Sequence, residues 1–283
     1  MKIKGTTKIT GVFGYPISHS LSPVFQNAAF EYLGLDYVYI PFEIKPEDLK
    51  KGVESIKIFN WVGINVTIPH KKEILKYIDE IDETSEILGV VNTIHNMDGK
   101  LKGYTTDGDG FIMSLREDGK FNPEGKNIFI IGAGGSSYAI CGALIKKKVN
   151  HIFITNRTYE NSMKLKEHLY YKLNFKNVEI IEFEKRNEKG IWEKVDLLVN
   201  TTSIGMKEND PLLIKRENIE KVKFVYDIVY NRKTELLKEA ENLKIPYLDG
   251  LSMLVYQGAI SFEIWTGKKA PVEIMKKSLK HIK

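Results

Sequence analysis

The feature that most constrains this chain is a strand that runs directly into a glycine-rich turn. Residues 127–131, NIFII, are apolar enough to be buried on both faces, and Gly132, Ala133, Gly134, Gly135 and Ser136 follow at once, ahead of a helical stretch. Strand, glycines and helix start in that order bring bare backbone N–H groups to the positive end of a helix, where a pyrophosphate can approach. A Cβ would block the approach, which is the physical reason for the glycines. The third glycine of the usual fingerprint is Ser137 here, with small Ala139 beyond it, so helix and strand can still pack closely. A tight connection without a ligand has the same local signature, so the surroundings must decide.

The surroundings favour a dinucleotide. Further strands read at residues 151–155, 178–181, 195–200, 224–228 and 245–248, alternating with helical segments, the pattern of a parallel, doubly wound sheet. The first of these ends in Thr155, Asn156, Arg157 and Thr158, about twenty residues after the turn, where an NAD enzyme presents Asp or Glu to the ribose hydroxyls. An acid there would repel a 2′-phosphate. Arg157 instead offers a planar fork of donors matched to phosphate, with Asn156 and Thr158 as neutral hydrogen-bonding neighbours, so the residues point to NADP over a surface Arg that merely opens a helix.

The first third has a different texture. Strands are expected at 8–14, 36–42 and 61–68, with helices at 23–33 and from Pro46, the order of a sheet layered with helices. Ser22 followed by Pro23 reads as a helix start, with Ser capping free N–H groups and Pro in the first turn. The texture changes near residues 104–110, and helices at 251–266 and 271–282 follow the last strand. The expected organisation is therefore α/β in two domains: 1–106 with 251–283 as a discontinuous first domain, its C-terminal helices returning to it, and 107–250 as a Rossmann-type domain. A cleft between two such domains suits ligands that must be shut away from water.

Composition removes other classes. With 283 residues, 42% apolar and 28% charged, the chain can build two cores. The formal charge of +5 comes from lysines spread along amphipathic stretches, so a solvated surface is expected and no nucleic-acid partner. Apolar runs are strand-length, so neither a membrane span nor a signal peptide is expected. Cys141 is the only cysteine, which precludes an internal disulfide and fits a reducing cytoplasm. The histidines at 19, 70, 95, 151, 168 and 281 lack metal-ligand spacing. A monomer and a homodimer both remain open.

Polar residues gather in the first domain where packing does not call for them: Ser18, His19 and Ser20; Asn65 and Thr67; Asn92 and Thr93; Thr106 and Asp107. Each segment alone has a turn or capping explanation. Lys71 shifts the balance, because it follows the polar strand end after only Ile68, Pro69 and His70, opens a helical stretch, and can reach the same cleft as Asp107. A Lys–Asp pair flanking a substrate hydroxyl can relay a proton. His19 and His70 are rivals, but alternation along an extended segment points both away.

With these residues in view, the chain resembles the shikimate dehydrogenase family over essentially its whole length. The matching stretches are 14–23 (GYPISHSLSP), 65–71 (NVTIPHK), 89–93 (GVVNT), 106–110 (TDGDG), 132–136 (GAGGS), 156–158 (NRT), 200–206 (NTTSIGM), 227–230 (DIVY) and 256–259 (YQGA), in the family's order. The resemblance implies NADPH-dependent reduction of 3-dehydroshikimate to shikimate, with Lys71 and Asp107 as the catalytic pair. It also implies that Ser18 and Ser20 hold the substrate carboxylate, that Asn65, Thr67, Asn92, Asp107 and Gln257 bind ring hydroxyls, and that Tyr230 lines the substrate side. Gly132 to Ser136, Asn156, Arg157, Thr158 and Thr201 would hold the cofactor, with Glu83, Ile228 and Gly250 near its nicotinamide half. The family commonly has Asn where this chain has Thr105. A broader quinate/shikimate dehydrogenase and a non-catalytic nucleotide-binding relative are the alternatives; Ser20, where quinate-preferring relatives more often carry Thr, leans toward shikimate.

Overall fold

The structure, a computed structural model, describes residues 2–280, so the expected end of the last helix and His281 lie outside the described residues. The chain divides into two compact units: residues up to Gly110 together with those from Leu254 onward, and Phe111–Met253.

The first unit holds β1 (Lys8–Gly14), α1 (Ser22–Tyr32), β2 (Tyr37–Glu43), α2 (Leu49–Ile58), β3 (Gly63–Val66), β4 (Glu80–Ile81), α3 (Glu83–Leu88), β5 (Thr93–Met97) and β6 (Lys100–Tyr104). Its sheet runs β2-β1-β3-β5-β6-β4. β1 is parallel to β2 and β3, whereas β5 is antiparallel to both neighbours. The core on one side comprises Phe13, Leu49, Val53, Ile56, Ile64, Val66 and Ile94, the inward positions of the strands meeting the apolar stripe of α2.

Ser22 does not act as the cap expected of it. It is the first residue of α1 and buried, Leu21 occupies the capping position without a side-chain bond, and Pro23 still opens the first turn. The stretch from Pro46 begins as a 3-10 turn, Pro46–Asp48, before α2, and the one after Lys71 is likewise a 3-10 turn, Glu73–Lys76. The antiparallel β5–β6 hairpin adds two strands beyond those expected from the sequence. Asp98 and Gly99, at φ 52° and 91°, form its tip, the left-handed pair that suits a two-residue hairpin turn.

The chain leaves the first unit within α4 (Asp107–Glu117). The second unit follows as β7 (Asn127–Ile131), α5 (Gly135–Lys146), β8 (His151–Thr155), α6 (Tyr159–Leu173), β9 (Val178–Ile181), α7 (Lys189–Trp192), β10 (Leu197–Asn200), α8 (Arg216–Ile219), β11 (Phe224–Asp227), α9 (Glu235–Asn242) and β12 (Tyr247–Leu248). Its six strands are all parallel, ordered β12-β11-β10-β7-β8-β9. That is the doubly wound dinucleotide-binding order, and its direction reverses between β7 and β10. Phe129 stacks on Trp192 at 4.5 Å in its core. The chain returns within α10 (Leu251–Thr266), and α11 (Val272–Ser278) packs on α1, while Phe262 stacks on Phe30 at 5.1 Å.

Candidate active site

Four elements of the first unit converge on one polar cluster. β3 ends at Asn65 and Val66, β5 begins after Asn92, α4 starts with Asp107, and α10 carries Gln257 and Ser261. Backbone bonds fix their spacing: Val66 N donates to Asn92 O at 2.8 Å, Asn92 N to Tyr104 O at 3.0 Å, and Val91 N to Lys71 O at 2.9 Å. In this frame Lys71 Nζ lies 2.5 Å from Asp107 Oδ2, with the two side chains only 15% and 8% exposed. Asn92 Nδ2 donates to the other carboxylate oxygen at 2.8 Å, and to Thr106 Oγ1 and Gln257 Oε1 at 2.9 and 3.2 Å. Thr106 N donates to Asn92 Oδ1 at 2.8 Å, which fixes which way that amide faces. A neutral amide thus holds one oxygen of Asp107 and leaves the other to the lysine.

Behind this pair, Asn65 is nearly saturated. Its Oδ1 accepts from Tyr39 OH at 2.8 Å, and its Nδ2 lies within 3.1 Å of Asn92 O, Thr93 Oγ1 and Ser261 Oγ. Tyr39 and Ser261 belong to the cluster although nothing in the sequence singles them out. Both lie in stretches that read as core, and only the burial of a hydroxyl, which requires a partner, distinguishes them. His70 is buried, and its Nε2 faces Ile44 O at 2.7 Å, so it is turned away from Lys71. Thr105 ties the segment ahead of Asp107 in place, donating to Val90 O and accepting from Ser85 Oγ at 2.9 Å. A hydroxyl in the position of the family's usual amide therefore has its own partners.

The remaining first-unit candidates are not bonded into this cluster. Ser18 is exposed and makes no side-chain bond among the described residues, Ser20 Oγ meets only Ser22 N at 3.4 Å, Thr67 is half-buried at the strand end, and Glu83 is exposed on the first turn of α3.

In the second unit the glycine turn lies between β7 and α5. Gly132 has φ 115°, and a Cβ there would fall 2.5 Å from Thr201 Oγ1, so only glycine fits. Gly134 is exposed, and a Cβ on it would meet nothing within 4 Å, leaving backbone accessible at the start of α5. Arg157 is exposed, has no ion pair among the described residues, and lines a cavity of about 290 Å³ with Asn156, Tyr159, Glu182, Phe183 and Glu184. Glu182 is paired with Lys185 at 2.9 Å. An open turn, a free guanidinium and a hollow beside it fit the phosphates and one base of NADP. Asn156 Nδ2 donates to Thr158 O at 2.8 Å and shapes the loop that presents Arg157. Thr201 turns its hydroxyl inward, onto Ile131 O at 2.7 Å. Gly250 lies so close to Ile228 that a Cβ would be 1.9 Å from its carbonyl oxygen. Tyr230 is half-buried, and that burial raises its phenol pKa above the ordinary value.

Asp227, at the end of β11, is buried and accepts from Asn200 Nδ2, Val229 N and Thr234 Oγ1 at 2.9, 3.0 and 2.7 Å. Burial outweighs these donors and pushes its carboxyl from 3.8 up to about 6. The folded state therefore binds this proton more tightly than the unfolded chain. The resulting stabilisation is fully present below the unfolded pKa and is lost as pH rises through about 6. Relative to Asp227→Asn, the wild type should gain about 1 kcal/mol in urea melts on going from about pH 7 to about pH 5. A difference independent of pH would show that this carboxyl titrates as in the unfolded chain.

Family models match along the chain: shikimate dehydrogenase substrate binding domain over residues 12–94, shikimate / quinate 5-dehydrogenase over 116–252, and shikimate 5′-dehydrogenase C-terminal domain over 250–280. The shikimate dehydrogenase (NADP(+)) of Methanopyrus kandleri is 40% identical, covering 100% of this chain and 99% of that protein. That of Methanocaldococcus jannaschii is 43% identical, covering 98% of each. A crystal structure of a shikimate dehydrogenase in complex with NADP+ superposes with a TM-score of 0.90 at 42% identity, covering 98% of this chain and 96% of that one. No helix among the described residues is long and apolar enough to cross a membrane. Relatives matched end to end, with the glycine turn, the free arginine and the buried lysine–carboxylate pair all in place, establish that this chain belongs to the shikimate dehydrogenase family.

Proposed function

We propose that the chain catalyses the reversible, NADPH-dependent reduction of 3-dehydroshikimate to shikimate, on the route to chorismate and the aromatic amino acids, in the cytoplasm. The observation that carries this reading is the Lys71–Asp107 pair at 2.5 Å, set among neutral amides and hydroxyls. When bound, NADPH supplies the hydride. Lys71 delivers the proton to the alkoxide that develops as the ketone is reduced, and Asp107 holds its ammonium in place. Asn92, fixed by Thr106, keeps the Asp107 carboxylate from rotating, so the donor is aimed before substrate arrives. Thr67, Asn92, Asp107 and Gln257 offer neutral or accepting groups to ring hydroxyls, Asn65 offers the one Oδ1 lone pair that Tyr39 leaves it, and Tyr230 lines the substrate side. The first unit is the substrate-binding domain and the second the NADP-binding domain, with Glu83, Ile228 and Gly250 toward the nicotinamide half.

Label transfer tests the reading. Deuterium at the reactive C4 position of NADPH should appear on the new carbinol carbon of shikimate. Formation of shikimate without that label, or no product, would exclude direct hydride transfer by this chain.

Ser18 and Ser20 are assigned to the substrate carboxylate. Hydroxyls that bond a carboxylate do so in ground state and transition state alike. The double alanine variant should therefore raise KM for shikimate roughly 10- to 100-fold, with kcat within about threefold. An unchanged KM would reduce this segment to turn chemistry.

A further inference from the structure

The strand order of the second unit reverses between β7 and β10, and the segments leaving these two strands diverge there. A chain of hydroxyls joins them. Gly134 N donates to Ser137 Oγ at 3.1 Å, Ser137 Oγ and Thr201 Oγ1 are 2.7 Å apart, and Thr201 Oγ1 donates to Ile131 O at 2.7 Å. Its direction is forced. The Thr201 proton is committed to Ile131 O, so between the two hydroxyls Ser137 must be the donor. Both residues are buried, at 0% and 7% exposure, so water does not substitute for either partner.

We infer that Ser137 and Thr201 are positioning residues that lock the Gly132–Gly135 turn in its cofactor-binding shape before the cofactor arrives. Ser137 stands where the fingerprint usually has its third glycine, and here it closes the turn onto β10 through its side chain. The relay acts on the part of the site that meets the pyrophosphate, which NADP and NAD share, whereas Arg157 meets the 2′-phosphate, which only NADP carries. The inference rests on the dinucleotide reading of this domain and is independent of which substrate is reduced.

The test is the dissociation constant of NADPH and of NADH, read from nicotinamide fluorescence with no shikimate present. Thr201→Val keeps the shape of the side chain and removes the hydroxyl; Thr201→Ser keeps the hydroxyl and removes a methyl. Valine should weaken both cofactors by the same factor, about 10-fold, the worth of one buried hydrogen bond, while serine stays within about threefold. Ser137→Ala breaks the same link from the other side and serves if the valine variant does not fold. The double variant should lose little more than either single one, because the relay is already broken. Wild-type affinity in Thr201→Val, a loss confined to NADPH, or losses that simply add in the double variant would each overturn the inference. Absence of shikimate turnover would leave it standing, since the readout is binding alone.

Discussion

Lys71→Ala should lower kcat by roughly 10²- to 10⁴-fold, the usual worth of a positioned acid or base, while shikimate binds within a small factor of the wild type. Lys71 is paired with Asp107 at 2.5 Å and is only 15% exposed, so bulk water is poorly placed to deliver the proton in its stead. The carboxylate left behind keeps its bond from Asn92, so the cluster should hold and the loss should fall on chemistry. Thermal melts of the variant separate this from collapse of the site. Normal kcat with a raised KM would make Lys71 a binding residue and remove the proposed proton donor.

Arg157→Ala should weaken NADPH by roughly 10- to 100-fold in KM and leave NADH nearly unchanged, because only the phosphate-bearing ligand loses a partner. The guanidinium has no ion pair among the described residues and lines a cavity, so it is free to take a phosphate without first breaking another bond. Its exposure makes the preference sensitive to salt, since interactions between exposed charges are screened over about 10 Å at 0.1 M. Thr158→Asp should go further, placing a carboxylate that repels the phosphate and accepts from free ribose hydroxyls. Equal losses for both cofactors in Arg157→Ala would show that the residue supports its loop and does not choose the phosphate.

The parallel sheet was legible as a series of strands because its central ones, buried on both faces, leave continuous apolar runs. Asn127–Ile131 and His151–Thr155 begin and end where their composition places them, as does the edge strand Val178–Ile181 despite its exposed Glu179, whereas β10, β11 and β12 are shorter than the expected 195–200, 224–228 and 245–248. The β5–β6 hairpin was not read, because Thr93–Met97 mixes buried polar residues with apolar ones and has no clean alternation. The Asp98–Gly99 tip was its one local signal. The strand-end positions of Lys71 and Asp107 place both in one cleft, and their separation is 2.5 Å in the fold. The support behind them was hidden, because Tyr39 lies in a strand and Ser261 in an apolar helix, where the sequence reads as core. Ser137 was legible as a small residue but not as a link, since its partner Thr201 lies 64 residues away in the chain.

The most direct measurement is a set of initial rates with shikimate and with quinate, each paired with NADP and with NAD. Shikimate with NADP should give the highest kcat/KM, exchange for NAD should cost roughly 10-fold or more through the missing phosphate, and quinate should be the poorer substrate with either cofactor. Quinate turned over faster than shikimate, NAD preferred to NADP, or no turnover in any of the four pairings would contradict an NADP-linked shikimate dehydrogenase.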